Sequence, residues 1–189
     1  MMRDETRLRQ RWRRRIIAIG VFLLAAFCLS WFFEAQDTTT VIFVRYADIV
    51  DSDEPNPGLS PAGHRRAAEL ARVLGEIQNN RVDAIFATQF RHTQETAEPL
   101  AKLLEKPVQV VDSDDVRGLR DLVREDYKGK IVLIITDRDA MTRLITRFRG
   151  KRKIPPIADT EYDNMYMVII PWYGKVKTLR LKYGSPYRS

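Results

Sequence analysis

Cysteine is nearly absent from this chain of 189 residues: Cys28 stands alone. No disulfide can form within the chain and no cysteine-based metal site exists. The redox character of its compartment therefore leaves no trace in the sequence. Histidine is almost as scarce, with only His64 and His92. There is no internal repeat and no low-complexity tract. Charge is missing altogether from the 18 residues Ile16 to Phe33. A basic domain is missing too. The formal charge is +7, from 32 Lys+Arg against 25 Asp+Glu, but residues 1–15 hold seven Arg against Asp4 and Glu5. The rest of the chain carries 25 basic and 23 acidic residues. The excess belongs to an N-terminal arm and not to a domain face, which argues against nucleic acid as a partner.

The uncharged run IIAIGVFLLAAFCLSWFF, residues 16–33, is the first feature that is present. At 1.5 Å per residue it would make a helix ~27 Å long, close to the hydrocarbon thickness of a bilayer. Trp12 precedes it, and Trp31, Phe32 and Phe33 close it, as interfacial aromatics do. The arginines lie directly before it. Positive charge stays on the cytoplasmic side, so a single span is expected, with the N-terminus cytoplasmic and the C-terminal portion outside, in the periplasm if the cell is Gram-negative. A cleaved signal peptide is the rival reading, but Cys28-Leu29-Ser30 is a poor cleavage site. Phe27 before Cys28 disfavours a lipoprotein site. The Arg arm reads as a topology signal in contact with lipid headgroups.

The expected organisation is a basic arm over 1–15, a transmembrane helix over 16–33, a linker over 34–39 and one domain over 40–189. Val41–Val44 reads as an interior strand. Ser60 with Pro61 marks a helix start, and that helix is expected to run to about Asn79. Strands are expected at Ala84–Ala87, Val108–Val111 and Ile131–Ile135. Helices are expected over Thr93–Leu104, Asp112–Asp126 and Asp139–Phe148, with Pro99 as a kink or boundary. Lys151–Asp163 reads as a loop. Met165–Ile170 and Lys175–Leu181 read as a hairpin around Trp172-Tyr173-Gly174. Tyr162, Trp172, Tyr173 and Tyr183 are assigned to core and hairpin packing, and His64 to a solvated helix face. The alternation argues an α/β fold.

Three segments give this pattern a family likeness: Arg45-Tyr46-Ala47 after the first strand, Leu59-Ser60-Pro61-Ala62-Gly63 at the first helix start, and Thr96-Ala97 in the helix after the second strand. With the apolar strand 131–135 and the tail Thr160-Glu161-Tyr162-Asp163-Asn164, the chain resembles the histidine phosphatase superfamily, the phosphoglycerate-mutase-like phosphatases, over roughly residues 40–184. The resemblance implies a three-layer α/β sandwich with a mainly parallel sheet, preceded here by the membrane helix. It also implies a cationic pocket for one phosphoryl group, with no cofactor and no metal. In that family a neutral His attacks phosphorus, two Arg and a second His hold its oxygens, and a carboxylate protonates the leaving group.

The family residues carry over one by one. The first Arg matches Arg45. The nucleophilic His matches Tyr46. The second Arg falls at His92 when counted from Thr88, with Arg91 one residue early. The second His falls at Asp137, and the Ser often found after it is Arg138. A carboxylate at 137 would repel a phosphate oxygen ~4 Å away by about 4 kcal/mol at an effective dielectric near 20. It is expected instead to pair with Arg45. A phenol is a weak substitute nucleophile at neutral pH. The expectation is a membrane-anchored domain with no catalytic residue, Arg45, Tyr46, His92 and Asp137 being degenerate family positions. Arg45 and Arg91 are the candidate ligand-binding residues. Asp48, Asp137, Asp139 and His92 show no tight metal-ligand spacing. The expected partners are the lipid bilayer and a membrane or envelope protein that the domain binds or scaffolds. Two other readings are an active phosphatase on a phosphorylated small molecule using non-standard residues, and a sensor of an anionic ligand.

Overall fold

The computed structural model describes residues 2–34, 38–76, 82–149, 157–158 and 161–184. The chain divides into two compact units, Met1–Gln36 and Asp37–Ser189.

The first unit is one helix, α1 (Met2–Glu34). It contains the window Arg14–Trp31, of mean hydropathy 1.8 and wholly unburied, which is long and apolar enough to cross a membrane. The helix runs back through the Arg-rich segment, so the arm and the apolar run are one continuous element. Glu34, expected in the linker, closes it.

The second unit is built on a six-stranded sheet. Its strands are β1 (Thr39–Arg45), β2 (Val82–Thr88), β3 (Val108–Val111), β4 (Ile131–Thr136), β5 (Asn164–Ile170) and β6 (Lys177–Lys182). The order across the sheet is β3-β2-β4-β1-β5-β6. β3, β2, β4 and β1 run parallel; β5 and β6 are antiparallel. Four helices cover the sheet: α2 (Pro61–Gly75), α3 (Arg91–Leu104), α4 (Val116–Asp126) and α5 (Arg138–Arg149).

The three layers follow from the alternation of apolar residues along β1. Val41 and Phe43 point to one face and pack with Leu119, Val123, Met141, Leu144 and Phe148 of α4 and α5. Ile42 and Val44 point to the other and pack with Leu70, Leu74, Leu100 and Leu104 of α2 and α3. All four strand residues are fully buried, as an interior strand covered on both faces requires. The fold is the α/β sandwich expected from the sequence.

Several element ends differ from the sequence reading for local reasons. α2 closes at Gly75, where the N–H of Glu76 reaches the carbonyl of Arg72 at 3.1 Å. Asn79, the expected end, lies outside the described residues, as does most of the loop over 151–163. α4 starts at Val116, later than the expected Asp112. Asp112 accepts the N–H of Asp114 in a turn at 2.9 Å, and Asp115 caps the helix by accepting the N–H of Gly118 at 2.8 Å. α3 starts two residues early, at Arg91, and continues through Pro99 without a break. Trp172 and Tyr173 do not pack as expected: they are 51% and 85% exposed at the β5–β6 turn, where Gly174 takes φ +111°. Tyr183 is buried.

Candidate functional site

Parallel strands deliver their C-terminal ends to one edge of a sheet, and that edge is where such folds place ligands. Here Arg45, the last residue of β1, sits in register with Thr136, the last of β4. Tyr46 follows Arg45, Asp137 follows Thr136, and Thr88 ends β2 beside the start of α3. Topology thus brings Arg45, Tyr46, Asp137 and the first turn of α3 to one place.

A buried hydrogen-bonded frame holds that place. Thr93 is fully buried and its hydroxyl reaches the Thr88 carbonyl at 3.0 Å and the Phe90 carbonyl at 2.7 Å. Thr96 donates to the carbonyl of His92 at 2.7 Å and accepts the N–H of Ala47 at 3.0 Å. Glu95 accepts the N–H of Leu59 at 2.7 Å. Burial alone would raise the Glu95 carboxyl, but this bond and Arg91 hold it below the ordinary range. Asp48 pairs with Arg66 at 2.7 Å. Ser60 caps α2 by accepting the N–H of Gly63 at 3.1 Å. A Cβ on Gly63 would overlap the carbonyl oxygen of Asp48, so only glycine lets α2 come this close.

The centre of the frame is aromatic. The rings of Tyr46 and His92 lie 4.2 Å apart, and Phe90 stacks on His92 at 5.6 Å and 5°. Tyr162 lies 6.1 Å from Tyr46. The Arg45 guanidinium is 4.0 Å from the Tyr162 ring centre and 5.1 Å from that of Tyr46. Arg45 is only 6% exposed. It donates to the Glu161 carbonyl at 3.4 Å and to the Tyr46 hydroxyl at 3.5 Å, both at the long limit for a hydrogen bond. Ring contacts at these distances stabilise a desolvated guanidinium.

Tyr162 is held over Arg45 by its own segment. Glu161 accepts from Arg180 at 3.1 Å, from Asn164 at 3.1 Å and from the N–H of Ala158 at 3.2 Å. Burial pushes the Glu161 carboxyl up, but the Asn164 and Ala158 bonds with the charges of Arg180 and Lys182 bring it below its ordinary value. Asp163 binds Lys182 at 3.0 Å. The role of Tyr162 was missed in the sequence, where the ring was assigned to packing. The family-like segment Thr160–Asn164 was the signal that could have found it.

Asp137 corrects the expected ion pair. Its Oδ1 accepts the N–H groups of Asp139 at 2.9 Å and Ala140 at 2.7 Å, capping α5. Among the described residues it makes no salt bridge to Arg45. A helix start attracts a carboxylate more readily than a shielded guanidinium does, because its free N–H groups are unsatisfied donors. The same donors are what a helix N-terminus offers an anion. Asp137 therefore occupies the anion seat of α5.

His92 points into the cluster. Its Nδ1 lies 3.3 Å from the Pro57 carbonyl, which can only accept, so this contact requires the proton on Nδ1. Burial lowers the His92 pKa from its ordinary value. Arg91 is not brought into the cluster. It is exposed, bound to Glu95 at 2.6 Å, and its backbone N–H is taken by Asn56 at 2.9 Å. It lines a separate open groove of about 430 Å³ along α3 with Asn56, Gln94 and Glu98. One step along a helix turns a side chain by about 100°, so His92 and Arg91 cannot both face the sheet edge. Among the described residues no three His, Cys, Asp or Glu side chains converge as a metal site would need.

The fold is that of solved histidine phosphatases. The protein histidine phosphatase SixA, solved with tungstate, superposes with a TM-score of 0.62 at 17% identity, covering 76% of this chain and 96% of that one. A mycobacterial glucosyl-3-phosphoglycerate phosphatase gives 0.59 at 12% identity, covering 75% and 97%. No family model matches the sequence. A segment of 82 residues, 43% of this chain, is 39% identical to the transcription factor tau 55 kDa subunit of Saccharomyces cerevisiae. The match spans about a sixth of that relative's length, 17%.

Proposed function

We propose that this protein is a membrane-anchored histidine phosphatase-like domain without the family's catalysis, acting outside the cytoplasm as a binding or scaffolding subunit of a membrane or envelope assembly. The observation that carries the loss of catalysis is Asp137 on the first N–H groups of α5. A phosphoryl group would have to displace that carboxylate and lie beside its charge. Tyr46 standing where the family has its nucleophile, and Arg45 shielded by Tyr162, point the same way. What is left at the sheet edge is a partly exposed aromatic surface of Tyr46, Phe90, His92 and Tyr162, a composition suited to protein contact. The yeast relative is itself named as a subunit of a larger factor. The Arg-rich start of α1 supports a cytoplasmic N-terminus.

One observation favours the second reading, an active phosphatase with non-standard residues. Burial lowers the His92 pKa and so favours the neutral imidazole that a nucleophile or base needs, and its ring lies 4.2 Å from that of Tyr46.

A cysteine placed at Phe90 in a Cys28→Ser background tests sidedness and partner together. Intact cells are treated with a membrane-impermeant thiol-reactive photo-crosslinker. The expected outcome is labelling without lysis and one discrete adduct, absent from a Leu103→Cys control on the outer side of α3. Labelling only after lysis would overturn the topology. Labelling with no adduct beyond the control would remove this face as a docking surface.

A further inference from the structure

The opposite end of the sheet carries features that the site does not use. Trp172 and Tyr173 lie at the β5–β6 turn with ring centres 6.3 Å apart, 51% and 85% exposed. Trp172 lines an open groove of about 330 Å³ with Thr39, Arg124, Lys128, Ile170 and Pro171. The exposed charges at this end are mainly positive: Arg124, Lys128, Lys130, Lys175 and Lys177, against Asp83, Glu125 and Asp126. Paired aromatics ringed by lysine and arginine are the composition of a surface that rests in a headgroup layer. Anionic lipid supplies the counter-charge for this cation excess, and the paired aromatics fit the interfacial layer.

Chain connectivity gives the second argument. Thr39 lines this groove, and only residues 35–38 separate it from Glu34, the last residue of α1. The five residue steps from Glu34 to Thr39 reach at most about 18 Å. If α1 crosses a bilayer, Thr39 cannot stand far from the membrane surface.

We propose that the β5–β6 turn and the adjoining end of α4 form a membrane-resting surface, with Trp172 and Tyr173 entering the interface and Arg124, Lys128 and Lys175 engaging anionic phospholipid headgroups. This rests on the reading of α1 as a membrane anchor. A strand of seven residues such as β1 is ~23 Å long, so the contact holds the Tyr46 edge well clear of the lipid and open to a partner.

The test uses the full chain reconstituted at low protein-to-lipid ratio into phosphatidylcholine–phosphatidylglycerol vesicles with brominated acyl chains. One version keeps Trp172 alone, through Trp12→Phe and Trp31→Phe. A second keeps Trp31 alone, through Trp12→Phe and Trp172→Phe, and reports on α1. The expected result is quenching of Trp172 that is stronger with bromine at the 6,7 than at the 11,12 positions. It should fall at least twofold in pure phosphatidylcholine or in Lys128→Glu/Lys175→Glu. Quenching of Trp31 without quenching of Trp172 would overturn this inference and leave the anchor standing. Absence of quenching in both would overturn the anchor as well.

Discussion

Ala47 meets α3 through a 3.0 Å bond from its N–H to the buried hydroxyl of Thr96, whereas Tyr46, one residue earlier, meets the same helix ring against ring at His92. The first contact is part of a frame of directed bonds: Thr88 with Thr93, Glu95 with Leu59, Asp48 with Arg66, Ser60 with Gly63. The second belongs to a centre of rings around a buried guanidinium. Frame and centre occupy the same sheet edge. A loop geometry can thus be kept by buried hydroxyls and a carboxylate. Structural likeness to phosphatases at 12–17% identity reports the fold and not the chemistry of the centre.

The largest effects are expected in the frame. Gly63→Ala drives a methyl into the Asp48 carbonyl, and overpacking of this kind typically costs about 1–3 kcal/mol or more. Thr96→Val keeps the shape but leaves the buried N–H of Ala47 without its acceptor, which costs about 1–3 kcal/mol. Denaturant unfolding of the full chain in detergent reads both. Values near zero would mean that the frame does not organise this edge.

A smaller effect is expected at Asp137, where frame and centre meet. Asp137→Ala removes the α5 cap and should cost about 1 kcal/mol. Combined with Arg45→Ala, the two losses should add to within about 0.5 kcal/mol, because Asp137 is engaged by the helix and not by the guanidinium. A coupling well above that would restore the ion pair expected from the sequence and blur the distinction between the two regions.

The elements that carry the frame were legible in the sequence because their signals are local, while the bonds Ala47–Thr96, Leu59–Glu95 and Asp48–Arg66 were not. Pro61 after Ser60, the alternating apolar residues of 41–44 and the Thr-Ala pair at 96–97 each act through neighbours a few positions away. The positions at which the resemblance places its site residues are counted the same way, as offsets from strand ends. The side-chain outcomes were not legible. Whether Asp137 turns to Arg45 or to its own helix depends on competition between two nearby cationic environments, and sequence spacing does not rank them. Tyr162 stacks on Arg45 only because Arg180 and Lys182, on β6, tie down its segment from about 20 residues away along the chain. The exposure of Trp172 and Tyr173 was hidden because an aromatic in a hairpin turn reads alike whether it folds inward or out.

The most direct measurement is phosphate release by the full chain in detergent micelles, from generic phosphomonoesters, alongside a search for an acid-labile phosphoenzyme. The account predicts release no higher than the buffer control and no phosphoenzyme. Turnover that disappears in His92→Ala or Tyr46→Phe would contradict it and make the cluster an active site.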